Sequence, residues 1–190
     1  MEQKVVYHED KKKDNTEDTL EATKRRVEEL KIKDVLIAST HGNTALKAAK
    51  VFKGTGVNLL AVSICHGWAE EGWVMTPQEK KKLETKGVKV LTCSHALGDG
   101  VASAFTEKFG GKSIEEVVAQ TLYRFSQGMK VCVEIAMMAA DAGLISVENE
   151  VAAVAGTSKG ADTAIVLKPA YPRKFHELEI KEIIAKPRDP

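Results

Sequence analysis

The chain has 190 residues, 43% of them hydrophobic and 29% charged, with a formal net charge of +1. That is room for one full core and is short for two. Near-neutral charge leaves no basic footprint for nucleic acid, and no apolar run is long enough to span a bilayer. The segment Met1 to Asp10 does not read as a signal peptide, and Cys65, Cys93 and Cys132 are far apart and odd in number, so a reducing, cytoplasmic setting is expected.

Val5 to Tyr7 predicts a short strand, and the charged stretch after it, with the basic run Lys11 to Lys13, reads as a solvated face. Asn15-Thr16 then caps a helix over 17–31, with Glu17 and Asp18 at its positive end and Leu20, Val27 and Leu30 on one face. A buried strand over 35–38 breaks into Ser39-Thr40-His41-Gly42-Asn43-Thr44, and helix formers follow from Ala45 until Gly54 and Gly56. The strand over 57–63 is nearly continuous in apolar residues, as in strands covered on both faces. A long polar and aromatic segment, Cys65 to Pro77, separates it from a helix over 78–86, which Thr76-Pro77 opens and Gly87 stops. The strand over 88–93 empties into Ser94 to Gly100, and a short helix follows over 101–109.

Ser113 with Glu116 forms a capping box for a helix running to about Gln127, where Gly128 interrupts. The apolar run VCVEIAMMAADAG predicts another helix, closed by Gly143. Strands over 151–155 and 163–168 bracket the loop Gly156 to Asp162, and a last strand over 178–185 is expected at a sheet edge. There is no internal repeat. This alternation argues for a single α/β domain over 1–190 with a mainly parallel sheet.

Ligands of such sheets lie beyond the carboxyl ends of the strands, where the strand order reverses. The helix after Gly42 opens its unpaired amides and positive dipole end onto Ser39, Thr40 and Thr44, an arrangement that cradles a phosphate. The same residues also describe an ordinary connection with Thr40 or Asn43 as N-cap. If the strand over 151–155 is the other neighbour of the strand over 35–38, their two loops flank one crevice. The candidate ligand-binding residues are then Ser39, Thr40, His41, Gly42, Asn43 and Thr44 on one side, and Gly156, Thr157, Lys159, Gly160 and Asp162 on the other. His66, Gly67 and Trp68, with Ser94 and Gly98, leave neighbouring strand ends. Lys159 either pairs with a phosphate or is a solvated loop lysine; Asp162 either bonds the ligand or braces its own turn. Trp68 and Trp73 either stack on a flat ring or simply pack. Glu134, on the apolar helix, needs a partner if buried, and a structural hydrogen bond is the simpler one.

A rival chemistry would gather His41, His66 and His95 with Cys65 and Cys93 around zinc, or use a cysteine as nucleophile. None of these residues has local ligand spacing such as CxxC or HExxH, so no metal site and no catalytic residue is assigned. Cys132 reads as core.

VLIASTHGNTA, VCVEIAMMAADAGLI and GADTAIVLKPA together resemble archaeal stand-alone proteins related to the C-terminal α/β domain of pyruvate kinase. The resemblance runs from NTEDTL at Asn15 to Leu20 through EIKEIIAKPR near the end. It implies a doubly wound sheet with helices on both faces. It also implies no pyruvate kinase activity, because the catalytic (β/α)₈ barrel does not fit in this length. The corresponding domain of pyruvate kinases can bind a phosphorylated effector through a loop that reads roughly Thr-x-Ser-Gly-x-Ser, then Ala. Ser39, Gly42, Thr44 and Ala45 fit that pattern, whereas His41 replaces a hydroxyl and Asn43 a frequently basic residue. Less positive charge disfavours a sugar bisphosphate and favours a monophosphate with an aromatic body. Proteins similar to this one look like flavin mononucleotide (FMN) binders.

The expected function is therefore binding of a phosphate-bearing small molecule, FMN first. A regulatory sensor of another phosphorylated metabolite is the alternative, and a metal- or cysteine-dependent hydrolase a distant third. No GxGxxG follows any strand, so no nicotinamide partner is expected. No nucleic-acid or membrane partner is expected either, and an exposed last strand would allow a homodimer.

Overall fold

The sheet grows outward from strands that are apolar because both their faces are covered. In the computed structural model, which describes residues 2–10 and 13–189, these are β2 (Asp34–Ala38), β3 (Asn58–Ser63) and β5 (Val151–Ala155). Two lysines of the basic run, Lys11 and Lys12, lie outside the described residues. With β4 (Lys89–Thr92), β6 (Thr163–Lys168), β7 (Glu179–Pro187) and β1 (Val6–His8), they form a seven-stranded sheet of order β1-β7-β6-β5-β2-β3-β4. The block β5-β2-β3-β4 is parallel; β6 runs antiparallel to both its neighbours, and β1 pairs parallel with β7.

Side chains alternate across β2, which fixes the two layers. Val35 and Ile37 face α1 (Thr16–Leu30), α2 (Asn43–Val51) and α3 (Pro77–Glu84), and are buried with Leu20, Val27, Ala45 and Leu83. Leu36 faces the other layer, α5 (Ile114–Leu122) and α6 (Gln127–Asp141), where Met129, Val133 and Met137 are buried with Ala153 and Ile165. The outermost helix, α4 (Val101–Phe109), has no buried residue. No helix among the described residues is long and apolar enough to cross a membrane.

Two expectations are corrected. The last strand is not the edge: β7 lies between β6 and β1. Only Ala185 to Pro187 pair with β1, however, so the exposed first half of β7 reads locally like an edge. Gly128 does not interrupt a helix. The preceding helix ends at Leu122, and Ser126 caps α6 by accepting from the Met129 amide at 2.9 Å. Gly128 falls in the first turn of α6 because a Cβ there would lie 2.4 Å from Thr163 Oγ1. The glycine marks a close approach rather than a break.

α1 is tied to the sheet by charge as well as by Leu20 and Val27. Arg26 donates to both oxygens of Glu182 on β7, Nε at 2.7 Å and a terminal nitrogen at 2.6 Å, and also meets Glu29. These bonds hold the Glu182 carboxyl below the ordinary glutamate range despite its partial burial. Because the folded value is depressed, the stabilisation is complete above the unfolded pKa of about 4.3 and is lost as pH falls through the folded value. Glu182→Gln is expected to cost about 3 kcal/mol at pH 7. Urea melts below the unfolded glutamate pKa should show a smaller deficit. A deficit independent of pH would mean that the pair contributes packing alone.

Candidate functional site

All four parallel strands deliver their carboxyl ends to one edge of the sheet, in the order β5-β2-β3-β4. From β2 the chain moves through α2 to β3 on one side, while β5 flanks β2 on the other, with Ile37 opposite Val154. The reversal of strand order therefore falls between β2 and β5, where a crevice is expected. The turn after β2 and the loop after β5 leave the two strands that flank this reversal.

The turn is shaped by its glycine. Gly42 has φ +83, and a Cβ there would sit 3.1 Å from Leu83 Cδ1. Gly42 is itself the N-cap of α2 and has no side chain to cap it, so neither Thr40 nor Asn43 is the N-cap. Ser39 Oγ accepts from the Ala45 amide at 3.3 Å, and the Ser39 amide donates to Val62 O at 3.0 Å. His41 turns toward α3, with Nδ1 3.4 Å from the Glu79 carboxylate. Ser39 and Thr44 are buried and Thr40 is half-buried. One helical turn on, Lys47 Nζ donates to Asp14 Oδ2 at 2.6 Å. That bond, with those from Thr16, holds the Asp14 carboxyl down to about 2.

The loop after β5 is closed on itself. Asp162 Oδ2 accepts from the Thr157 amide at 3.0 Å and from its hydroxyl at 2.6 Å, and Oδ1 accepts from Thr163 Oγ1 at 2.7 Å. Asp162 thus braces its own turn. The loop is also docked on the start of α1: Thr16 Oγ1 accepts from the Ala161 amide at 2.9 Å. Gly160, at φ +75, fits only without a side chain, since a Cβ would lie 2.1 Å from Thr16 Oγ1. Gly156 is constrained likewise, 2.5 Å from Gly160 O. Lys159 is exposed at the tip.

A second constellation lies at the ends of β3 and β4. Asp99 is its hub, accepting from Trp68 Nε1 and from Cys65 Sγ at 3.1 Å each, and paired with His95 Nδ1. Burial first, and then the Asp99 carboxylate, push the Cys65 thiol up. Trp68 stacks on Trp73, with centroids 5.4 Å apart. Beneath them Glu134 Oε1 accepts from the Leu97 amide at 2.9 Å, and Oε2 from Lys130 Nζ at 2.6 Å. A cavity of about 280 Å³ opens between Trp68, Gly98, Asp99, Tyr123 and Lys130. His66, Gly67 and Ser94, in the segments that leave β3 and β4, are exposed.

Of the residues weighed for metal or thiol chemistry, this edge brings Cys65 and His95 together, while His41 is on Glu79 and Cys132 is buried in the core. Asp99 and Lys130 are the residues sequence reasoning missed. The available signal was the i,i+4 spacing of Lys130 and Glu134 on the predicted helix, and the closeness of Asp99 to His95 in the turn after β4.

Residues 17–167 match the family described as pyruvate kinase, alpha/beta domain. The chain belongs to that family. The matched segment of this pyruvate kinase alpha/beta domain protein spans strands β2 to β6 but for Lys168, and helices α1 to α6 but for Thr16. The SAH-bound methyltransferase PaMTH1 of Podospora anserina is similar at 14% identity over 77% of this chain and 63% of that chain, with a TM-score of 0.29. The chain thus spans less than two thirds of that structure, and a likeness of this size carries no functional argument.

Proposed function

We propose that this chain binds a phosphate-bearing small molecule, FMN first among them, along the carboxyl ends of β5, β2, β3 and β4. The observation that carries this reading is the juxtaposition at the β2–β5 reversal of a helix N-terminus whose N-cap is a glycine and a glycine-rich loop from the neighbouring strand. Backbone amides of Thr40 to Thr44, with the Thr40 and Thr44 hydroxyls, hold the phosphate. The Gly156 to Asp162 loop closes the far side. Four strands at about 4.8 Å spacing give a ledge about 14 Å long. That ledge suits a ligand with an anion at one end and a flat ring at the other. The ring lies toward Trp68 and the His66–Gly67 and Ser94–Gly98 segments, where apolar surface and polar edges alternate. The protein would tune whatever redox chemistry the flavin supplies; no substrate or reaction is assigned.

The test is an absorbance spectrum of the purified chain, before and after heat release of any ligand. Bound oxidised flavin gives bands near about 370 and 450 nm. Thr44→Ala should then weaken FMN about tenfold, the loss of one hydrogen bond to a charged group, and Gly42→Ala should weaken it further. A colourless protein that does not quench added FMN would overturn the reading. Membership in a family whose pyruvate kinase members carry this domain supports a second reading, an effector sensor, which a thermal-shift screen of phosphorylated metabolites would reveal.

A further inference from the structure

Cys65 and His95–Asp99 leave adjacent parallel strands, and one ligand atom from each of Cys65, His95 and Asp99 lies within 4.8 Å of the others. We propose that these three side chains form a binding site for a divalent cation of the zinc class, with a fourth coordination position facing the cavity beside Trp68 and Lys130.

The donor set is sulfur, imidazole nitrogen and carboxylate oxygen, the mixture that borderline-soft zinc accepts and that calcium and magnesium do not. Three protein ligands and an open position are the arrangement of zinc sites that keep a place for water or substrate. The site is shielded: the Asp99 side chain is 12% exposed, His95 20%, and Cys65 8% as a residue. An outer shell is already built. Trp68 Nε1 donates to Asp99 Oδ1, which orients the carboxylate so that Oδ2 points at the thiol and the imidazole. The charges also balance: a thiolate, a carboxylate and a neutral imidazole sum to minus two. A metal ligates the thiolate, so binding releases the thiol proton to solvent. Nearby Lys130 is compensated by Glu134.

The competing description is a hydrogen-bonded brace, in which the thiol, the imidazole and the indole N–H all donate to Asp99. The two separate by titration of the full chain, freed of metal by chelator, with cobalt(II) and then zinc salts. The proposal expects one-to-one saturation and a thiolate-to-cobalt charge-transfer band. It also expects visible bands of four-coordinate cobalt, zinc displacement, and proton release. Cys65→Ser should abolish the charge-transfer band, and the near-isosteric Asp99→Asn should weaken zinc at least tenfold while keeping the fold by circular dichroism. Cys93→Ser should bind as the parent does. If Asp99→Asn unfolds, His95→Gln replaces it in the same titration. Absence of saturable binding by the folded parent, or a Cys65→Ser protein that binds equally well, leaves the brace alone and overturns the proposal. The proposed FMN site borders this one at Trp68 and Gly98, but the two fail separately: the flavin spectrum needs no added metal, and the titration reads thiolate-to-cobalt charge transfer.

Discussion

Glu134→Ala should lower the free energy of unfolding by about 3–5 kcal/mol, the usual effect of removing one partner of a buried ion pair. The Glu134 side chain is 4% exposed and that of Lys130 11%. Deleting the carboxylate strands an ammonium group in the layer between α6 and the β4 loop, and leaves the Leu97 amide without its acceptor. The attraction itself contributes less than that figure, because desolvating both charges offsets it. Glu134→Leu combined with Lys130→Met should therefore recover most of the loss. Urea midpoints at constant slope measure this. A single-variant loss under about 1 kcal/mol would mean that water reaches the ammonium through the adjoining cavity. The same substitution frees Leu97, two residues from Asp99, so zinc affinity should fall with stability even though Glu134 touches no ligand.

Gly160→Ala is expected to cost about 2–5 kcal/mol, by two additive causes. A left-handed backbone costs a non-glycine residue about 1–2 kcal/mol, and overpacking a filled site costs about 1–3 kcal/mol. Here the obstruction is Thr16 Oγ1, with Asp14 Oδ1 next at 2.9 Å. Thr16→Ala removes the obstruction together with the bond from the Ala161 amide. The double variant should thus be less destabilised than the sum of the singles, and the difference measures how firmly α1 holds the β5–β6 loop. Strict additivity would show that the loop moves away from α1 at little cost. In that case ligand affinity, which needs the loop in place, should fall more than stability does.

How far the sequence could be read follows the range of the interactions. β2, β3 and β5 were legible because a strand covered on both faces must run apolar, as DVLIA, NLLAVS and VAAVA do. The position of β7 was not, because its coverage by Val6 to His8 is set by residues nearly the whole chain away. α5 was drawn too long because Leu122 to Phe125 continue an apolar pattern, and Ser126 has Met129 rather than an acid three residues on. The turn after β2 and the loop after β5 were recognised as neighbours from topology alone. Asp99 was not recognised, since its partners Trp68 and Cys65 are 31 and 34 residues distant. Asp162 reads from sequence either as a ligand contact or as a brace of its own turn, and its hydroxyl donors Thr157 and Thr163 show the brace.

The family match starts at residue 17 and stops at residue 167, and neither limit is a boundary of the folded unit. A fragment cut at those limits would lose Thr16, the post on which the β5–β6 loop is hung, and with it Asp14, the partner of Lys47. It would also lose β7, uncovering the outer margin of β6, whose residues Thr163 to Leu167 are all buried. Such a piece would offer an apolar strand to any passing chain. A failure of that fragment to bind FMN or zinc would be a statement about truncation, not about either site.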